Sequence, residues 1–302
     1  MATFIRTPGV NPDTSRPSAL SIDPVAAQTG ALMLVDPTNP IFGKGFTGVP
    51  AHGATVPNLA WLSAAAAVGG TQASLAAVVD TVGMAGAKGA LERTAKGGIH
   101  AIFSQVNNTA AADRTHYSLI VPEPIRTYLD ANPDHNIYLS IWGRNTRRTD
   151  AASGQVVSIS GIDAGTTAYR AYLNDNGSTA PSTGGSFLGA RGSGATPLGN
   201  YIKNVGAAGT TGAFSIGTST PTERARLWGI GNTGFLNTYA GGAQPAPQGH
   251  SGSHILYRAY LEDLTLSGRT YAQVDALDSA YYTEEVLTPG GRYYGDTFTA
   301  PV

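Results

Sequence analysis

The sequence predicts an all-β protein: two antiparallel sheets packed face to face, with a few short helices and extended arms at both ends. Three observations carry this. Short apolar segments with a period of two recur along the chain, turn-forming residues separate them, and 39 glycines with 18 prolines leave little room for long helices. A chain of 302 residues fits one such domain plus arms. The expected organisation is an N-terminal arm over 1–30, a sheet domain with long Gly/Ser/Thr loops over 31–286, and a tail over 287–302.

The clearest signature runs from His254 to Tyr282. Ile255, Tyr257, Ala259 and Leu261 are expected on one face of a strand, with Leu256, Arg258, Tyr260 and Glu262 on the other. Asp263 to Leu266 extends the run until Ser267-Gly268 breaks it. Thr270 and Gln273 then have the form of a capping box, and Val274, Leu277 and Tyr281 recur at helical spacing, giving a short helix with one buried stripe.

The remaining elements follow in chain order. Arg6 to Pro24 is rich in proline, serine, threonine, asparagine and aspartate, with little to bury, and reads as an extended arm. Ala31 to Val35 reads as a strand stopped by Asp36-Pro37 and Asn39-Pro40. Leu59 to Ala67 suggests a helix ended by Gly69-Gly70. Ala73 to Val82 is ambiguous, because its alanines favour helix and Val78-Val79 favour strand. Lys88 to Thr94 is polar and leads into Gly97-Gly98, after which Ile99 to Val106 reads as a strand. Leu119 to Val121 is a further strand before the Pro122 and Pro124 breaks. Ile137 to Arg144 places Ile137, Leu139 and Ile141 on one face and Tyr138, Ser140 and Trp142 on the other. Val156 to Ile162 and Ala168 to Leu173 alternate likewise, and Asn176-Gly177 signals a hairpin. Ser178 to Ser219 reads as long loops around two short strands. Ala225 to Ile230 and Phe235 to Tyr239 follow as strands, and Gly241 to Gly252 connects into the closing segment.

The order of strand, Leu264-Thr265 and capped helix resembles the end of a laminin G-like, concanavalin A-like jelly roll, and Ile137 to Trp142 resembles that superfamily's central strand. The segments Leu34 to Pro40, Leu91 to Thr94 with Gly97 to His100, and Tyr257 to Leu264 resemble structural proteins of tailed bacteriophage particles carrying such a domain. The resemblance implies a virion component made in the host cytoplasm, either a capsid decoration or a tail or baseplate protein. Its implied partners are other virion proteins and copies of itself, held through the arm and the Tyr293 to Val302 tail. An alternative is a carbohydrate-binding, receptor-recognition module of the same particle that stacks Tyr201, Trp228 or Tyr239 on host-surface sugar rings.

Chemistry is mostly excluded. Only 13% of residues are charged and the formal net charge is −1, so no global field draws the chain to nucleic acid or an anionic membrane. Arg144, Arg147 and Arg148 form the only tight basic group, read as a solvated strand end. Cysteine is absent, which removes disulfides and thiolate metal sites. Met1 to Pro8 lacks the order of a secretory signal and no run approaches the ~18 apolar residues of a membrane span, so a soluble chain without a signal peptide is expected. The sequons at Asn107 and Asn176 carry no weight without export.

Gly229-Ile230-Gly231-Asn232-Thr233-Gly234 matches a dinucleotide pattern, but Phe235 to Tyr239 reads as extended where a helix N-terminus is needed, so a glycine turn is expected. Gly249 to Ser253 lacks the last glycine of a nucleophile elbow. The paired carboxylates of jelly-roll glycosidases have no counterpart, since Glu262 and Asp263 are adjacent and project to opposite faces. Glu284 and Glu285 read as a solvated tail. No enzymatic activity is expected. Asn174, Asp175 and Asn176 offer the oxygen ligands calcium prefers at the rim of related domains, but the hairpin turn accounts for them. His250 and His254 lie in a loop entering a strand, not on a helix face. No metal or cofactor is predicted.

Overall fold

The computed structural model describes residues 23–27, 29–39, 48–104, 106–107, 115–132, 135–147, 158–163, 169–174, 200–208, 226–231 and 253–301. The expectation of a mainly β protein with antiparallel sheets and a few short helices holds. One sheet orders β10 (Asn200–Ala208), β7 (Ile137–Arg147), β12 (Ser253–Asp263), β5 (Ile99–Phe103) and β4 (Gly89–Arg93). In it β1 (Ala31–Val35) pairs with the C-terminal half of β12 while β5 pairs with the N-terminal half. The second sheet orders β2 (Thr55–Val56), β3 (Ala77–Val82), β6 (His116–Ile120), β11 (Arg226–Gly231), β8 (Ser158–Asp163) and β9 (Tyr169–Asn174). Side chains of both sheets meet in one apolar cluster, with Leu139, Ile141, Leu256 and Phe103 from the first and Val79, Leu119, Trp228 and Ile230 from the second.

Among the described residues the helices are α1 (Trp61–Val68), α2 (Glu123–Ala131), the single turn α3 (Leu264–Ser267) and α4 (Tyr271–Tyr282), which runs into a π turn at Thr283–Leu287. Gly69 ends α1 as expected, at a φ of 74° that favours glycine. The capping box at Thr270 and Gln273 is present in both directions.

Several expectations are corrected. Ala77 to Val82 is strand, because pairing with β6 decides what local propensity leaves open. The polar stretch before Gly97 contains β4, a sheet-edge strand whose side chains need not all be apolar. Pro122 and Pro124 start α2, since the first turn of a helix has no partner for the N–H that proline lacks. Leu264 to Leu266 leaves the strand because the Asp263 side chain accepts from Leu266 N at 2.9 Å and caps α3. Gly229 and Gly231 lie within β11, not in a turn. The islands between Ser178 and Ser219 include a nine-residue strand, β10. Phe235 to Tyr239 and the Asn176-Gly177 hairpin lie outside the described residues. Among the described residues no helix is long and apolar enough to cross a membrane.

The closing strand departs most from its sequence pattern. All eleven residues of β12 are buried, so alternation does not separate core from solvent but one packed face from another. Opposite β7 the register advances from Leu256↔Gly143 directly to Arg258↔Trp142, so Tyr257 is the extra residue of a bulge. The bulge reverses side-chain parity. Ile255 and Tyr257 before it, and Arg258, Tyr260 and Glu262 after it, share the face turned away from the other sheet, while Leu256, Ala259 and Leu261 enter the core.

A third layer covers that outward face. Val25, Leu264 and Val274 pack with Tyr138 and Tyr260, and Tyr282, Val286 and Tyr293 pack with Trp142, Ile255 and Tyr257. The buried stripe of α4 is therefore Val274, Asp278 and Tyr282, whereas Leu277, expected in it, is 45% exposed. Asp278 occupies a stripe position because it faces donors, as described below.

Gly143 lies in β7 opposite Leu256, and a Cβ there would collide with the His254 ring and the Ile255 carbonyl. Gly143→Ala is expected to lower stability by about 1 to 3 kcal/mol, the usual cost of overpacking, read as a lower midpoint in urea. A midpoint equal to the parent's would show that the strands separate freely there.

Candidate functional site

The outward face of the first sheet carries a buried polar network that seats both terminal segments. Alternation along β7 sends Tyr138, Ser140 and Trp142 to this face, and the bulge sends Arg258, Tyr260 and Glu262 there from β12. Asp278 of α4 points down onto the row and accepts from Tyr138 OH at 3.1 Å, Ser140 Oγ at 2.7 Å, Trp142 Nε1 at 3.1 Å and Arg258 Nη1 at 3.1 Å. Arg258 also lies 4.7 Å from the centre of the Trp142 ring, a cation–π contact.

The other side of the Arg258 guanidinium grips Asp23, with Nε donating to Oδ2 at 2.8 Å and Nη2 to Oδ1 at 2.9 Å. Both side chains are fully buried. Burial opposes ionisation of Asp23, but the charge and hydrogen bonds of Arg258, with N–H groups of Val25 and Ala26, outweigh it and hold the carboxyl below its ordinary range. Arg258, between two carboxylates, is held in its charged form above its ordinary value despite burial. The rest of the segment is held as firmly: the Val25 carbonyl accepts from Arg269 Nη2 at 2.8 Å, and Ala27 N donates to Tyr260 OH at 3.1 Å. Arg269 is in turn fixed by a two-point contact with the buried Glu262.

A second clamp repeats the design. Asp36, like Asp23, precedes a proline and folds an Asx turn, with Thr38 N donating to its Oδ1 at 3.0 Å where Val25 N donates to Asp23 at 2.9 Å. Arg292 Nη1 donates to Asp36 Oδ2 at 3.0 Å and Tyr293 OH to Oδ1 at 2.9 Å, while Arg292 Nε holds Glu285 Oε2 at 2.8 Å. Further along the tail, Asp296 accepts from Tyr257 OH at 2.9 Å and from Lys96 N at 2.7 Å. Phe298 lies between Arg144 and His100, with Arg144 4.7 Å from its ring centre and the two ring centroids 5.3 Å apart. Thr299 closes the tail on Glu92 through N at 2.8 Å and Oγ1 at 2.6 Å. The tail is thus seated on its own sheet, and Glu285, read as solvated, pairs with Arg292. Arg144 is likewise packed rather than solvated, Arg147 ends β7, and Arg148 lies outside the described residues.

These groups hold the two ends of the chain against the sheet. The carboxylates face arginines and fixed donors, and Glu262 and Asp263 turn to different partners. Glu262 meets Arg269, and Asp263 meets His135 at 2.6 Å and Tyr128 at 2.8 Å. On the second sheet, Asp80 meets His116 at 3.2 Å and His52 at 3.6 Å. Burial opposes its charge, but His116 and Arg226 outweigh that and keep it low. The Arg226 guanidinium, 3.9 Å away, already supplies the positive charge a cation would bring. Among the described residues no group of three or more His, Asp or Glu is placed to hold a metal.

The predicted glycan contacts fare differently from one another. Trp228 is fully buried against Tyr117 and His254, with ring centroids 5.8 Å away in each case, so it is a core residue and not a sugar platform. Tyr201 lies in β10 opposite Arg144. Tyr239 lies outside the described residues. Of the calcium candidates, Asn174 ends β9, and Asp175 and Asn176 lie outside the described residues. His250 does too, while His254, expected in the loop, is a buried β12 residue.

Sequence reasoning missed Asp23, Asp36, Asp278, Arg258 and Arg292. Three signals were there to find them: paired Asp-Pro steps flanking β1, an arginine inside an aromatic strand, and an aspartate in helical register with Val274 and Tyr282.

Comparison with known protein families, curated proteins and solved structures finds no match to this chain.

Proposed function

We propose that the protein is a non-enzymatic structural component of a tailed bacteriophage virion, a capsid decoration or a tail or baseplate protein, built on a concanavalin A-like jelly roll and joined to neighbours through its N-terminal arm. The phage-like segments named above support this, as does a polar network devoted to holding. The observation that carries it is the Asp23–Arg258 clamp. A five-residue piece of an otherwise unpatterned N-terminal segment is seated by fully buried charge, which suits an arm that bears load better than a dispensable end. Abundant glycine, serine and threonine with few charges fit a many-copy building block.

Removing residues 1–22 while keeping Asp23 tests the reading. The shortened chain is expected to fold with an unchanged urea midpoint and to be left out of purified particles when it replaces the parent. Incorporation at the parent's copy number would overturn the assignment of the arm.

A further inference from the structure

We propose that the Arg258 slot also receives the Asp23–Ala27 segment of a second copy of the chain, so that copies join by reciprocal exchange of N-terminal arms. The inference rests on reading this segment as an arm, not on which part of a particle holds it.

The slot is built like a peptide-recognition site. Arg258, Tyr260 and Arg269 make polar contacts to the segment from 233 to 244 positions away in sequence, and these contacts do not depend on the chain connection that delivers it. The docked segment carries its own turn: proline follows the aspartate, and the carboxylate folds back onto Val25 N and Ala26 N. A turn held by the segment's own groups lowers the entropy lost on binding. The two-point match of guanidinium to carboxylate sets orientation, and Val25, fully buried beside Val274 and Leu264, fills the apolar end.

Only Gln28 and Thr29 separate the docked piece from Gly30. Gly30 is fixed where it stands, because its φ is +88° and a Cβ would lie 2.7 Å from the Asp263 carbonyl and 2.8 Å from Ser267 N. The turning point for exchange is therefore confined to a short connection, the arrangement that favours swapping over independent motion. Contacts made with the chain's own arm and with a partner's arm are the same, so the choice is set by concentration. A short tether gives roughly millimolar effective concentration, which copies crowded into one assembly also reach. Exchange is self-complementary, as a two-fold pair requires.

The chain has no cysteine, which allows a direct test on the full-length protein. Val25→Cys in one preparation and Val274→Cys in another place one thiol on the arm and one in the slot. Mixed and mildly oxidised, they are expected to give a disulfide-linked heterodimer whose yield rises with protein concentration. Adding Asp23→Ala to the arm chain is expected to cut the yield by at least about tenfold, as removing a buried charge partner should. A chain carrying both cysteines is expected to close within itself at low concentration. Closure within one chain without heterodimer at millimolar mixing would show the arm fixed to its own domain and overturn exchange, as would heterodimer insensitive to Asp23→Ala. Failure of the double variant to close would overturn the slot itself. No particle is involved, so failure of exchange alone leaves the virion reading to its own test, whereas failure of the double variant to close would also remove the clamp that reading rests on.

Discussion

Replacing Arg258 with alanine is expected to destabilise the protein by about 3 to 5 kcal/mol, the usual cost of stranding buried charge. The guanidinium touches Asp23 on one side and Asp278 on the other, all three side chains fully buried, so its loss leaves two carboxylates facing each other across an unfilled space. Asp278 loses its guanidinium donor, and the N-terminal segment loses its charged anchor. Asp23→Ala is expected to cost less, because Arg258 keeps Asp278. The double variant Asp23→Ala with Arg258→Ala should cost less than the sum of the two singles, since the second change removes one of the charges the first left unpaired. Urea denaturation followed by tryptophan fluorescence reports both quantities, with Trp142 beside the clamp as a local probe. Additive singles, or an Arg258→Ala cost under about 1 kcal/mol, would mean the network is open to water.

The second large effect is acid sensitivity centred on His254. Burial lowers its pKa from 6.5 to about 3, with the nearby His100 pushing the same way. Its ring packs against Trp228 and Gly143, and its Nδ1 finds no hydrogen-bond partner among the described residues. The folded state therefore binds its proton less tightly than the unfolded state. Stability is complete above the unfolded value near 6.5 and falls as pH drops toward 3, by an amount on the order of a few kcal/mol. His100, lowered first by burial and partly restored by Glu92, adds to the slope with the same sign. The carboxyls of Asp23, Asp80 and Glu92 are held below their ordinary values, so they contribute stability above about pH 4 and lose it below. The window from about pH 6.5 to 4.5 thus isolates the histidines. His254→Leu is expected to flatten the stability profile there and leave the carboxylate limb below it intact. An unchanged slope between those pH values would show that His254 is solvated in the folded protein.

These two residues also mark what a sequence can and cannot convey. Ile137 to Trp142 was readable because a strand's period of two is a local rule, and its apolar side meets the core as the pattern requires. The α4 start was readable for the same kind of reason, since a capping box involves residues three apart. In the closing strand the pattern was right about structure and wrong about direction. One extra residue, Tyr257, opposes no partner on β7, and whether a bulge forms there depends on a strand more than a hundred positions away.

By itself the sequence determined the class of the protein: strands from alternation, breaks from proline and glycine, caps from short polar spacings, and the absence of thiolate chemistry from the absence of cysteine. Tertiary structure alone decided the site. Asp23, Asp278 and Arg258 are ordinary polar letters until two ends of the chain are laid on one face of a sheet, and only there does burial turn them into a clamp. Trp228 changed from an imagined sugar platform to a core residue for the matching reason, because exposure belongs to the packed fold and is not written in any residue's own neighbourhood.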